Sequence, residues 1–286
     1  MIRSLETYSL RKKVGDERAL ELIAEAGFEG IDYSFYWLPE DHPMRGDGYL
    51  SYAKELRTRM DRLGLVCRQA HAPFDMVFGD AFDESGDHFR GIVRAMEAAA
   101  VLGAKRIVVH AVKIPEEHGG INLLDYNAEF YRSLAPYCRT FGIKIAVENL
   151  FTSDRRCGCY RGVVGTPEEQ CALIRRIGSP DFSACVDLGH AALTGTEPAV
   201  YLRRMDPTLL ECLHVQDLDY LKDRHFLPFG GTLDWNGILS ALRDVGYKGD
   251  VSFEIYGFLA PVPVELLPAA LSYAASVGAY LVEKLG

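Results

Sequence analysis

Phe141-Gly142-Ile143-Lys144-Ile145-Ala146-Val147-Glu148-Asn149 compresses a helix end, a glycine turn and a β-rich run that closes on a carboxylate. The phrase recurs. Ala26-Gly27-Phe28-Glu29-Gly30-Ile31, Leu63-Gly64-Leu65-Val66, Leu102-Gly103-Ala104-Lys105-Arg106-Ile107 and Val245-Gly246-Tyr247-Lys248-Gly249-Asp250-Val251 read the same way. A left-handed helix C-cap favours glycine, and Gly27, Gly64, Gly103, Gly142, Gly178 and Gly246 each follow a helical run.

Outward from these phrases, strands are predicted over Arg3–Ser9, Gly30–Tyr36, Leu65–Ala72, Arg106–Val112, Ile143–Leu150, Phe182–Leu188, Leu210–Asp217 and Asp250–Tyr256. Several are near-continuous apolar runs, as suits strands of a parallel sheet covered on both faces. Helices are predicted over Asp16–Ala26, Gly48–Leu63, Gly86–Leu102, Leu123–Phe141, Thr166–Ile177, Glu197–Met205, Trp235–Val245 and Val264–Leu285. Thr166-Pro167-Glu168-Glu169 supplies an N-cap, a first-turn proline and a capping-box glutamate. Eight alternations of strand and helix imply a closed (β/α)₈ TIM barrel, an α/β fold with its active site at the C-terminal face of the strands. The first strand is not followed by the glycine fingerprint of a dinucleotide-binding sheet. Barrels of about 250 residues form one domain, so residues 1–286 are read as a single barrel domain.

The bulk numbers exclude little. The seven cysteines are an odd, scattered set that suggests reduced thiols and a cytoplasmic protein rather than a disulfide framework. Cys157 and Cys159 match neither a zinc pair nor a redox pair and are read as structural. The N-terminal residues carry no secretory pattern, and no stretch is expected to approach the roughly 18 uninterrupted apolar residues of a membrane span. A net charge of −9 argues against a protein whose main task is coating nucleic acid.

Function is more legible in where the polar residues fall. Strand ends three to eight carry His71, His110, Glu148, Asp187 with His190, His214 and Glu254, and a loop adds Asp223 and His225. The remaining histidines, His42, His88 and His118, are expected to face solvent. One histidine at a strand end is ordinarily a hydrogen-bonded core residue. A carboxylate after an apolar run is costlier, because an unpaired buried charge loses several kcal/mol or more. Glu148, Asp187 and Glu254 would repel one another at a common rim unless a cation joined them and His214. Carboxylate oxygens with an imidazole nitrogen suit Mn²⁺, Mg²⁺, Co²⁺ or Zn²⁺.

At these residues the sequence resembles the xylose isomerase-like barrel superfamily, which includes ketose 3-epimerases, hydroxypyruvate isomerases, inosose dehydratases and endonuclease IV-type enzymes. The resemblance runs from Glu21–Tyr33 to Glu254 and rests on Glu148-Asn149, Asp187-x-x-His190, His214-x-x-Asp217, Gly231-Thr232-Leu233-Asp234-Trp235 and Phe253-Glu254. It implies one divalent ion held by Glu148, Asp187, His214 and Glu254, with the two glutamates moving protons and His190 contacting substrate. The nuclease branch implies up to three zinc ions, with His71, His110, His190, Asp223 and His225 as further ligands. After Asp223-Arg224-His225, however, the chain continues Phe226-Leu227-Pro228-Phe229, like the loop of sugar isomerase-like proteins, and Phe74 stands where the nucleases commonly have tyrosine. No loop combining arginine with aromatic wedges for DNA is evident.

The sequence thus points to a metal-dependent isomerase or epimerase of a small sugar, sugar acid or keto-polyol, possible as a homo-oligomer. Alternatives are a multi-zinc phosphodiesterase at abasic DNA sites, an inosose-dehydratase-like lyase, or a binding protein that has lost catalysis. Glu148 and Glu254 are the expected proton-transfer residues. His190, His71, Trp37, Phe74 and Arg155 are expected to contact substrate, with Arg155 in the basic stretch 154–161 as an anion clamp. Tyr8, Tyr33, Phe35, Trp37, Phe74 and Tyr256 are candidates for an apolar wall at the mouth.

Overall fold

The computed structural model describes residues 1–74, 83–112, 122–154 and 158–286. Parallel strands β1 (Arg3–Glu6), β2 (Gly30–Ser34), β3 (Val66–His71), β4 (Arg106–Val109), β5 (Lys144–Glu148), β8 (Phe182–Asp187), β9 (Leu210–His214) and β10 (Val251–Phe253) form one eight-stranded sheet. Its order is β10-β1-β2-β3-β4-β5-β8-β9, and a parallel bridge between Val215 and Phe253 joins the last strand to the first. The sheet is the expected (β/α)₈ barrel.

The outer ring contains α1 (Tyr8–Glu25), α2 (Tyr49–Leu63), α3 (Asp87–Leu102), α4 (Leu123–Phe141), α5 (Pro167–Ile177), α7 (Pro198–Arg204), α8 (Trp235–Asp244) and α10 (Leu267–Leu285). Burying their apolar stripes against the strands puts the main core between sheet and helices, with Ile31, Ile107, Ile145, Val186 and Leu213 at its centre. The capping box on α5 forms as the sequence predicts: Thr166 Oγ1 accepts from Glu169 N–H, and Glu169 Oε2 accepts from Thr166 N–H, both at 3.3 Å. Gly103 ends α3 at φ 100°, where a side chain would be strained.

Several details differ from the sequence reading. Helix α1 begins at Tyr8 rather than Asp16, because the Glu6 carboxylate accepts the Tyr8 N–H, and Gly15 (φ 77°, ψ 167°) interrupts the helix where the prediction began it. Two elements at the mouth were not foreseen. The antiparallel hairpin β6–β7 (Phe151–Asp154 and Gly158–Arg161) follows β5, and the short helix α6 (Leu188–Leu193) starts on Asp187 as its N-cap. Another short helix, α9 (Tyr256–Leu259), follows the last strand. The stretch Val264–Leu285 comes closer to membrane-span length than expected, being uncharged from Leu266 to Val282. Leu267, Leu271, Ala274, Val277 and Leu281 are buried, with α10 packed against β1, α1 and α8.

Candidate metal centre at the C-terminal mouth

Side chains alternate across a strand with period two, so one inward position fixes the next. Val108, Ala146, Cys185 and Cys212 form a small apolar cluster separate from the main core. Two residues further along the same strands stand His110, Glu148, Asp187 and His214. The same count gives Ser252 then Glu254, Gln69 then His71, Asp32 then Ser34, and Ser4 then Glu6. The barrel therefore carries a layer of polar groups above a partly apolar one.

Ligand atoms of Glu148, Asp187, His214 and Glu254 lie within 4.8 Å of one another, and all four residues are buried. His214 Nδ1 is 2.6 Å from Glu148 Oε1 and 3.3 Å from Glu254 Oε2. Its other nitrogen, Nε2, is 3.3 Å from Asp32 Oδ2. Asp32 in turn accepts from Gln69 Nε2 at 2.6 Å and Ser252 Oγ at 3.2 Å. A His214 that gives its Nε2 proton to Asp32 presents a Nδ1 lone pair to two carboxylates.

The same arithmetic applies to the other histidines. His71 Nδ1 is 2.8 Å from the Ala72 carbonyl, His190 Nδ1 is 3.0 Å from the Asn149 carbonyl, and His225 Nδ1 is 2.9 Å from the Glu254 carbonyl. A carbonyl only accepts, so each Nδ1 carries the proton and each neutral ring turns an Nε2 lone pair toward the site. His71 Nε2 meets His110 Nε2 at 3.1 Å and Glu148 Oε2 at 3.5 Å, while His110 Nε2 is 2.7 Å from Glu148 Oε2. His190, Asp223 and His225 form a further group with ligand atoms within 4.8 Å of one another. Acceptors facing acceptors need either extra protons or a cation, and three carboxylates with an imidazole match a divalent ion well.

Without an ion, protons fill the gap. Burial alone would lift the Glu148 carboxyl, but His214 and His110 hold it well below the usual range. Burial likewise works to lower His214, and is overcome by Cys185, Glu254 and Glu148, which raise it well above an ordinary histidine. Burial pushes His110 down to about 4. His225 is depressed by burial but raised by Asp223 to a net value of about 9.

Of the sequence-predicted residues, Trp37, His71, Phe74, His110, Glu148, His190, Asp223, His225, Glu254 and Tyr256 line one cavity of about 510 Å³, with Tyr36, Leu150 and Phe151, while Asp187 and His214 stand outside its lining. Its described lining contains no lysine or arginine. Arg155, with Arg156 and Cys157, lies outside the described residues, as does His118. Trp37, at φ 50° and 54 % exposed, forms the outer lip, stacked edge-on against Tyr8 and Phe74. Tyr33 and Phe35 do not join the wall. They pack on each other in the core, and the Tyr33 hydroxyl donates to Asp16. His42 is not a solvent-facing residue either: its Nε2 lies 3.0 Å from Asp16 Oδ2 and its Nδ1 accepts from Met44 N–H.

Sequence reasoning missed Tyr36, whose hydroxyl donates to Glu254 Oε1 at 3.1 Å, and Phe151, which packs on His190. It also missed Asp32, Glu6 and Gln216. The period-two count along the first two strands, Ser4 then Glu6 and Asp32 then Ser34, would have put the first two on the inward face. Asp217, quoted within the motif, faces away from the ion group. Its carboxylate accepts from Leu218, Phe229 and Leu233 N–H and from Trp235 Nε1, holding the loop that carries Asp223 and His225.

Comparison with known proteins identifies the class of barrel. The family model for the xylose isomerase-like TIM barrel matches residues 20–276, and the chain belongs to that family. It is 28 % identical over 247 residues to the uncharacterized protein MJ1311 of Methanocaldococcus jannaschii, covering 82 % of this chain and 78 % of that one. It is 23 % identical over 251 residues to fructoselysine 3-epimerase of Shigella flexneri, covering 84 % of each. The crystal structure of the IolI protein with a bound zinc atom superposes with a TM-score of 0.78 at 18 % identity, covering 100 % of this chain and 99 % of that one. Other relatives and structural neighbours are named as an inosose isomerase, a D-psicose 3-epimerase and a 3-keto-D-glucoside 4-epimerase.

Proposed function

We propose that this protein is a divalent-metal-dependent isomerase or epimerase of a small sugar, sugar acid or keto-polyol. The observation that carries the reading is the convergence of Glu148, Asp187, His214 and Glu254, four buried residues whose ligand atoms lie within 4.8 Å of one another. These four residues would hold one ion of Mn²⁺, Mg²⁺, Co²⁺ or Zn²⁺. Such an ion, when bound, supplies Lewis-acid polarisation of a substrate carbonyl.

Glu148 and Glu254 are the proton-transfer groups. One removes the proton α to the substrate carbonyl, and the other returns it at a neighbouring carbon or on the opposite face. Tyr36 steadies Glu254 through its hydroxyl. His190, with its Nδ1 proton given to the Asn149 carbonyl, offers Nε2 to a substrate oxygen. Trp37, Phe74, Phe151 and Tyr256 form the apolar wall, which excludes water from the developing charge. His71 stands beside Glu148 and closes that side of the pocket. Asp32 acts from behind, orienting His214.

The test is solvent deuterium exchange into a panel of ketoses and keto-polyols by the Mn²⁺-loaded protein. Incorporation that disappears in Glu148→Gln and Glu254→Gln supports the reading; no incorporation across a broad panel contradicts it. A second reading, a multi-zinc phosphodiesterase at abasic DNA, is favoured by the two further groups, His71–Glu148–His214 and His190–Asp223–His225. Incision of an abasic duplex by the Zn²⁺-loaded protein would establish it in place of the first.

A further inference from the structure

Between the four-residue group and the His190–Asp223–His225 group lies the amide of Gln216, and its orientation is fixed. The His225 backbone N–H donates to Gln216 Oε1 at 3.0 Å, so the NH₂ end must face the other way. There Nε2 lies 3.1 Å from each Asp187 oxygen, 3.1 Å from Asp223 Oδ1 and 3.3 Å from His225 Nε2. Two hydrogens therefore serve four acceptors. Gln216 is completely buried and rests on Gly189, where an added Cβ would come 2.5 Å from its Cδ.

His225 has one lone pair to give, since its Nδ1 proton is committed to the Glu254 carbonyl. A metal ion at His190, Asp223 and His225 would need that lone pair at about 2 Å. His225 Nε2 lies 2.9 Å from Asp223 Oδ2, and the Gln216 NH₂ faces it at 3.3 Å while tying Asp223 Oδ1 to Asp187, so N–H groups rather than a cation occupy the space beside the group. We propose that Gln216 limits this centre to one divalent ion by keeping the His190–Asp223–His225 group closed to a second. The inference rests on the metal reading above, because it presupposes an ion at Glu148, Asp187, His214 and Glu254. With the amide removed, Asp187 and Asp223 lose their shared donor, and Asp223 Oδ2 and His225 Nε2, 2.9 Å apart, are left facing the vacated space, which together recreate a cation site.

Elemental analysis and calorimetric titration of the purified full chain with Mn²⁺ and Zn²⁺ test this directly. The wild type is expected to take one ion per chain and Gln216→Ala two, with no charge added by the substitution. Adding Asp223→Asn to Gln216→Ala should return the count to one, placing the second ion at the predicted group. Gly189→Ala displaces the same side chain from the other side; should Gln216→Ala fail to fold, this variant carries the test, with two ions again expected. A wild type that binds two or more ions, or a folded Gln216→Ala that still binds one, overturns the proposal while leaving the metal reading intact. A wild type that binds none overturns both.

Discussion

The barrel has a cavity at each end, about 510 Å³ at the C-terminal mouth and about 470 Å³ at the N-terminal rim, and the two are opposite in chemistry. The lower one is lined by Arg68, Arg106, Glu211, Lys248 and Asp250 among others. Its acids are answered: Glu211 pairs with Arg106 and, at 2.8 Å, with Lys144, and Asp250 pairs with Arg68 at 3.2 Å. The upper one gathers acids and imidazoles with no lysine or arginine in its described lining. Volume does not separate an active site from a structural recess. Acids crowded with imidazoles and no basic side chain do, because that crowding costs stability that function must justify.

The largest contrast expected between the ends is catalytic. Glu148→Gln should lower the proton-exchange rate by roughly 10³-fold, the scale of a lost general base, whereas Glu211→Gln at the lower rim should leave it unchanged. An equal loss in both variants would erase the distinction. Next comes metal affinity. Asp32→Asn keeps the shape but weakens the hold on His214, and the dissociation constant for Mn²⁺ should rise by about 10- to 100-fold. Titration calorimetry reads this, and an unchanged constant would remove Asp32 from the ion's support.

Glu6 gives a pH signature at the mouth. Burial, then the charge of Glu254, raise its carboxyl from 4.5 to about 7. The folded metal-free protein thus binds this proton more tightly than the unfolded chain does. Stability contributed by the neutral form is complete below about pH 4.5 and is lost as pH rises toward 7. Glu6→Gln should therefore stabilise the metal-free protein by about 3 kcal/mol at pH 8 and by nothing near pH 4. Urea unfolding at the two values measures it, and equal effects at both would contradict the assignment. The smallest effect belongs to the lower rim. Glu211→Gln should cost about 1 kcal/mol in the same assay, as a partly buried pair does, with no change in metal binding.

These differences also explain what the sequence could reveal. Glycine C-caps and apolar strands repeat locally, so Phe141–Asn149 and its echoes exposed the barrel without tertiary information. Glu148, Asp187 and Glu254 stood out because each ends an apolar run, where an unpaired carboxylate is costly, and His214 stood out only in their company. Asp32 and Glu6 were hidden by their neighbours: Asp32 sits amid Gly30, Ile31 and Tyr33, and Glu6 among polar Ser4 and Thr7, so neither looked anomalous. Their meaning came from the period-two face they share with the ligands. Gln216 was illegible for another reason. Its role depends on which way an amide points between segments that meet only in the folded chain. The aromatic wall failed at Tyr33 and Phe35 because alternation sent those rings outward to the helices and left Tyr36 facing Glu254.

The central claim is that one ion belongs among four named side chains. Diffraction from crystals grown with Mn²⁺, measured for its anomalous signal, tests it most directly. The account predicts one strong peak per chain, within about 2.0–2.4 Å of oxygens of Glu148, Asp187 and Glu254 and of Nδ1 of His214. A map with no peak there, or with its peak elsewhere on the barrel, would contradict it.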